Sequence, residues 1–182
     1  MRKRIWVIGC PCSGKTTVAS LLSKLFNIPL IELDDLYWGH NWTRADSVTF
    51  SSQVDKLTNQ NSWIVTGDYD DSSKIIYQKV NTIIFLDVSF IIAFTRLIKR
   101  TFNNIITRKD LGHCNKESLK RLFSKDSMII YLFKIHKKSR IKNLTLTRDV
   151  ENTKIKSIVL YNRNIIEIIE LLAIKLNKIY DN

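Results

Sequence analysis

Gly9-Cys10-Pro11-Cys12-Ser13-Gly14-Lys15-Thr16 carries the most chemistry in this chain. It fits the pattern G-x-x-x-x-G-K-[ST] of a phosphate-binding P-loop without a mismatch. Gly9 and Gly14 let the backbone take conformations closed to other residues and let a phosphate come close. Successive amides, from Gly9 to Thr17, and the start of a helix then face the anion. Lys15 reaches the outer phosphates of a nucleotide such as ATP, and the Thr16 hydroxyl can sit on Mg²⁺. A second set of groups follows at Asp34-Asp35. A carboxylate here could hold Mg²⁺, directly or through water, or accept a proton from an attacking hydroxyl; helix capping is the structural alternative. Tyr37, Trp38 and Trp42 lie close enough in sequence to wall a planar ligand, or to form local core.

These residues need elements to position them. Arg4–Ile8 reads as a short apolar strand, and Val18, Leu21, Leu22 and Leu25 fall at helical spacing after the loop. Residues 29–33 read as a second strand ending at Asp34. Asp46–Gln60 reads as an amphipathic helix, residues 62–67 as a third strand, Asp68–Asp71 as an acidic loop and Ser72–Val80 as a helix. Thr82–Asp87 is the clearest continuous apolar strand, as expected in a parallel sheet covered on both faces. Phe90–Thr101 reads as a helix that places Arg96 and Arg100 on one face. Phe102–Lys116 reads as a loop, Glu117 to about Lys142 as a long helical stretch and Asn143–Lys154 as a polar connection. Residues 156–161 form a fifth strand and Arg163–Tyr180 a closing helix. Alternating strands and helices imply a five-stranded parallel α/β sheet flanked by helices, with ligands gathered at the C-terminal strand ends. Gly9, Asp34, Gly67 and Asp87 all fall there.

At 182 residues one domain is expected, and 45% hydrophobic composition is ample for a core. No apolar run is long enough to span a bilayer and no signal peptide is visible, so a cytoplasmic location is expected. The three cysteines make no disulfide framework; Cys10 and Cys12 read as small loop-filling residues whose oxidation would block nucleotide binding. The net charge of +12 is uneven: residues 96–156 hold 17 Lys and Arg against 5 Asp and Glu. Such a patch attracts polyanions, nucleic acid included.

The P-loop, Glu32–Trp42, Trp63–Tyr69 and Ile84–Asp87 occur in the order and spacing of the bacterial topology modulation protein family, which resembles adenylate kinases. The resemblance continues through Arg96–Thr101 and Thr107–Cys114. It implies a nucleoside-monophosphate-kinase-like P-loop fold of one domain, with an acceptor-binding region at about 34–61 and a small lid at about 102–116. Lys15 and Thr16 carry over as phosphate and Mg²⁺ ligands. Arg96 and Arg100 fall at the lid base, Arg108 falls in the lid, and Arg44 follows the tryptophan motif where it could meet an anionic acceptor. The chain departs from the family at Thr66, where an acidic residue is usual, and at His40, where proline is. Asp68 could regain the Thr66 side of the strand if the chain stays extended, which makes Thr16, Asp34 and Asp68 the expected metal set.

The leading expectation is an ATP- and Mg²⁺-dependent phosphotransferase acting on a small, nucleotide-like acceptor. Lys15, Asp34, Arg96, Arg100 and Arg108 would carry catalysis, and Asp34, Trp38, Trp42 and Arg44 the acceptor. A nucleotide-regulated DNA-binding protein is the alternative, motivated by the basic third, although no helix-turn-helix or zinc spacing accompanies it. A nucleotide-hydrolysing switch ranks below both, because no N-K-x-D segment is present.

Overall fold

The computed structural model describes residues 2–107 and 127–180. Five strands alternate with helices: β1 Arg4–Gly9, β2 Leu30–Glu32, β3 Trp63–Thr66, β4 Thr82–Asp87 and β5 Lys156–Tyr161. Among them lie α1 Lys15–Phe26, α2 Leu33–Tyr37, α3 Ser47–Thr58, α4 Asp70–Lys79, α5 Phe90–Thr107, α6 Met128–Asp149 and α7 Ile165–Tyr180. The strands form one sheet in the order β2-β3-β1-β4-β5, and each adjacent pair is parallel. β1 lies at the centre, so the chain leaves it towards opposite edges, and the crevice at its C-terminal end is where an open α/β sheet holds ligands.

The apolar runs in β1, β3 and β4 follow from burial on both faces. Ile5 and Val7 of β1 meet Val18 and Leu22 of α1 and Leu172 and Leu176 of α7. Trp6 and Ile8 point to the other side, among Phe50 and Val54 of α3 and Ile76 of α4. Helix starts are set locally. Gly14 takes a φ of 101° immediately before α1, and the Asp46 carboxylate accepts from the Thr49 amide at 2.9 Å to open α3.

Three boundaries differ from the sequence reading. α5 continues to Thr107, so Phe102–Thr107, expected as the start of a lid loop, is helical. Asn103-Asn104 looks like a breaker, but Asn104 is only 3% exposed and belongs to the inner face of the helix. Residues 108–116 of the expected lid, with Arg108 and Cys114, lie outside the described residues. α6 runs past Lys142 to Asp149; Asn143 and Thr147 are buried within it, and apolar Leu144 and Leu146 pack on the core. α4 starts at Asp70, so half of the expected acidic loop is its first turn, where carboxylates favour the helix dipole.

The turn after β3 is tightly built. Gly67 has a φ of +114°, and a Cβ there would lie 2.9 Å from the Leu33 Cβ. Its carbonyl accepts from the buried Trp6 indole Nε1 at 2.8 Å. Gly67→Ala is therefore expected to lower stability by about 1–3 kcal/mol through strain and crowding, seen as a lower urea midpoint with an unchanged slope.

Candidate functional site

The P-loop connects β1 to α1 and is braced from two directions. The Ser13 amide donates to the Cys10 carbonyl at 3.2 Å, and Arg96 of α5 donates through Nη1 to the Ser13 carbonyl at 3.0 Å. Cys12 takes a φ of 60° within the turn. The Lys15 ammonium donates to the Cys10 carbonyl at 2.8 Å. Burial lowers the Lys15 pKa below its usual value; the Asp34 carboxylate opposes that shift, and Arg100 adds to it. Thr16 and Thr17 are exposed at the start of α1. Burial pushes the Cys10 thiol up to about 11, which leaves it a packing residue rather than a reactive one.

Arg96 is thus a strut of the loop as well as a cation beside it. Losing a charge-assisted hydrogen bond costs about tenfold in an equilibrium that depends on it. Arg96→Ala is expected to weaken ATP·Mg²⁺ binding by about that factor in calorimetric titration, with little change in melting temperature.

Asp34 stands one residue into α2, directly after β2. Tyr69 donates its hydroxyl to Asp34 Oδ1 at 2.5 Å. The Tyr69 ring is fixed by Tyr37 at 4.2 Å and by Phe50 at 5.5 Å between centroids. Burial first, then the Asp34 charge, raises the Tyr69 pKa, so the phenol stays a donor. Sequence reasoning gave Tyr69 no role. It follows the β3 breaker by two positions, but nothing in the linear order announces its pairing with a carboxylate 35 residues away.

Glu32 was also missed. It pairs in register with Thr66 across β2 and β3. Burial raises its pKa, and the neighbouring charges of Asp35 and Asp34 add to the rise. The Thr66 hydroxyl is buried without a hydrogen-bond partner. Asp68, expected as a metal ligand, is placed elsewhere. The positive φ of Gly67 takes the chain out of the extended path that would have returned Asp68 to the Thr66 side. Its carboxylate instead accepts from Lys142 of α6 at 2.9 Å and from the Ser73 hydroxyl at 3.1 Å.

Among the described residues no group of three or more His, Cys, Asp or Glu is arranged as a metal cage. The carboxylates of Glu32, Asp34 and Asp35 are close enough for both aspartates to act on Glu32, and Thr16 presents its hydroxyl at the start of α1. Crowded carboxylates of this kind suit Mg²⁺, which takes one or two protein oxygens and completes its shell with water and phosphate.

The residues expected to meet the acceptor form an aromatic shelf. Trp38 meets Tyr37 edge-on at 5.1 Å and Trp42 at 5.9 Å. Arg44 lies over the Trp38 ring at 5.8 Å, and the two residues form an antiparallel bridge. Asp35, Trp38, Thr43, Arg44 and Gln53 line a groove of about 360 Å³. Trp42 supports this shelf through Trp38. α6 crosses the C-terminal strand ends. Arg140 grips Asp87 at the end of β4 with bonds of 2.8, 3.1 and 3.0 Å, and Lys142 pairs with Asp68 and Asp70. Part of the basic third is therefore neutralised by carboxylates of the fold.

A shikimate kinase from Bacteroides thetaiotaomicron superposes with a TM-score of 0.58 at 16% identity, covering 99% of each chain. A deoxyadenosine kinase from M. mycoides gives 0.58 at 16% identity, over 96% of this chain and 98% of that one. A gluconokinase from Sinorhizobium meliloti gives 0.60 at 15% identity, over 100% of this chain and 95% of that one. The fold is that of the P-loop small-molecule kinases. In sequence, a shikimate kinase from Aquifex aeolicus is 56% identical over 32 residues, a stretch that covers 18% of this chain and 19% of that enzyme. No protein-family model matches the chain. Among the described residues, no helix of this kinase fold is long and apolar enough to cross a membrane.

Proposed function

We propose that this chain is an ATP-dependent phosphotransferase acting on a small, nucleotide-like acceptor. The observation that carries the reading is the placement of Lys15. It sits in a braced P-loop, its ammonium on the Cys10 carbonyl and the Arg96 guanidinium on the Ser13 carbonyl. The loop amides and Lys15 hold the outer phosphates of ATP. Thr16, with Glu32 and Asp34, would hold Mg²⁺, which neutralises phosphate charge when bound. Arg96 and Arg100 add positive charge beside the transferred group, and electrostatic stabilisation of this kind supplies most of phosphoryl-transfer catalysis. Asp34, oriented by Tyr69, would take the acceptor's proton, and Trp38 and Arg44 would meet the acceptor. Within the P-loop kinases, the Glu32–Trp42 and Trp63–Tyr69 segments favour a place near the topology modulation proteins. The kinase-like architecture of the structural neighbours supports the reaction class.

The test is a panel of small acceptors incubated with ATP and Mg²⁺ and read by phosphorylated product rather than by loss of ATP. Product with at least one acceptor, abolished in Lys15→Met, is the expected result. ATP hydrolysis with no transfer to any acceptor would overturn the reading.

A further inference from the structure

We infer that the outer face of α6 docks the protein on the surface of an anionic lipid bilayer, without crossing it. α6 holds six Lys and Arg, and its one acidic residue is Asp149 at its end. α5, which packs beside it through Phe90 and Phe94 against Phe133, adds three Lys and Arg and no acidic residue. Two cations of α6 serve the fold: Arg140 pairs with Asp87, and Lys142 with Asp68 and Asp70. Others form a surface of their own. Ile130, Lys134, Lys137 and Ile141 follow one another at spacings of four, three and four, so they make one stripe along the helix. All four are exposed, Ile141 at 56%. Phe133, 60% exposed, and Lys138 flank the stripe.

A helix face built only for water mixes acidic residues among its lysines, because opposite charges three or four apart support a helix and like charges weaken it. Here Lys134 stands three from Lys137 and four from Lys138, with no acid on the helix to relieve them. A face of this charge is complementary to a polyanion. Its apolar members decide which kind. A nucleic acid offers phosphates to the lysines and base faces to aromatic rings, but nothing that rewards exposed isoleucines at both ends of the stripe. A bilayer surface rewards both classes of side chain. Lysines meet the anionic headgroups, while Ile130, Phe133 and Ile141 leave water at the boundary between headgroups and acyl chains. The lysine stems lie along that boundary with their ammonium groups in the polar layer. The opposite side of α6 stays with the protein, where Leu132, Leu144 and Leu146 pack on the core. The contact is therefore peripheral, and α6 need not leave its place to make it.

The test is co-sedimentation of the full chain with two kinds of vesicle, phosphatidylcholine alone and phosphatidylcholine mixed equally with phosphatidylglycerol. Binding to the anionic vesicles and not to the neutral ones is expected. Lys134→Gln with Lys137→Gln should weaken it about 30-fold, the product of two lysines near a charged surface. Ile130→Ser with Ile141→Ser keeps every charge and should weaken it about tenfold through lost apolar burial. Lys24→Gln with Lys56→Gln removes the same net charge from exposed positions on α1 and α3 and should bind as the wild type does, since salt screens charges far from the contact. Far-UV circular dichroism checks that the variants, all altered at exposed positions, remain folded. The inference is overturned by a wild type that ignores anionic vesicles or binds neutral ones equally. It is overturned also if the isoleucine pair has no effect, or if the control pair loses as much as the α6 lysines. A parallel titration with duplex DNA and single-stranded RNA at the same salt closes the other route: tighter binding to either than to the vesicles, lost with Lys134 and Lys137, would make the face a nucleic-acid surface instead.

Discussion

Lys15→Met is expected to lower phosphoryl transfer by about 10²–10³-fold while leaving the fold intact, the usual loss when one preorganised charge is removed from a transition state. The methionine keeps the length and apolar stem of the side chain. What disappears is an ammonium that donates to the Cys10 carbonyl at 2.8 Å and would hold the outer phosphates of bound ATP. The loop itself retains the Ser13 amide to Cys10 carbonyl bond and the Arg96 strut, so its shape should persist. Transfer is measured with radiolabelled ATP and an acceptor found in the panel. Wild-type rates in Lys15→Met would mean that phosphate binds elsewhere.

The same substitution has a stability signature. Burial depresses the folded-state pKa of Lys15 below its usual value of 10.5. Between the folded and unfolded values the unfolded chain binds more protons at this site, so the Lys15 contribution makes stability rise with pH in that alkaline window. Below the window the cost of burying the ammonium is fully present. Cys10 and Tyr69 have raised pKa values and slope the other way, so the quantity to measure is the wild-type minus Lys15→Met difference in unfolding free energy, without nucleotide. That difference should climb as pH rises towards 10.5. A flat difference would mean that Lys15 is solvated.

Periodicity and the glycine loop made the sheet legible because β1, β3 and β4 are apolar runs facing two helical layers. Ile5 and Val7 face α1 and α7, while Trp6 and Ile8 face α3 and α4. Helix ends were harder, because polar residues that look like breakers are sometimes buried. Asn104 in α5 and Asn143 in α6 lie on inner faces, which no local rule foretells. The site divides in the same way. The P-loop is contiguous, so its residues can be read in order. The proposed acceptor side is assembled from α2, the β3–α4 turn and α6, and its pairings depend on one backbone angle. With Gly67 at a φ of +114°, Asp68 turns to Lys142 and Ser73, and Tyr69 reaches Asp34. A motif records which residues are present there but not which way that turn sends them.

Asp34→Asn is the second large effect. The amide has nearly the shape of the carboxylate, and its oxygen can still accept the Tyr69 hydroxyl, so the aromatic wedge of Tyr37, Phe50 and Tyr69 should hold. Charge and basicity are lost. A positioned general base contributes about 10²–10⁴-fold, and transfer is expected to fall within that range. Tyr69→Phe removes the donor but keeps the ring, and its smaller expected loss, about tenfold, arises only because Asp34 is less well oriented. The two losses should therefore fail to add: in the Asp34→Asn background, Tyr69→Phe has little left to remove. Double-mutant cycles expose such coupling between residues in contact. The cycle needs single-turnover rates for four proteins at saturating ATP. Additive losses would separate Tyr69 from the reaction and leave it a packing residue of the α3–α4 side. Undiminished transfer in Asp34→Asn would move the base to another carboxylate, with Glu32, crowded by Asp35 and Asp34 and pushed up by burial, the next residue to replace.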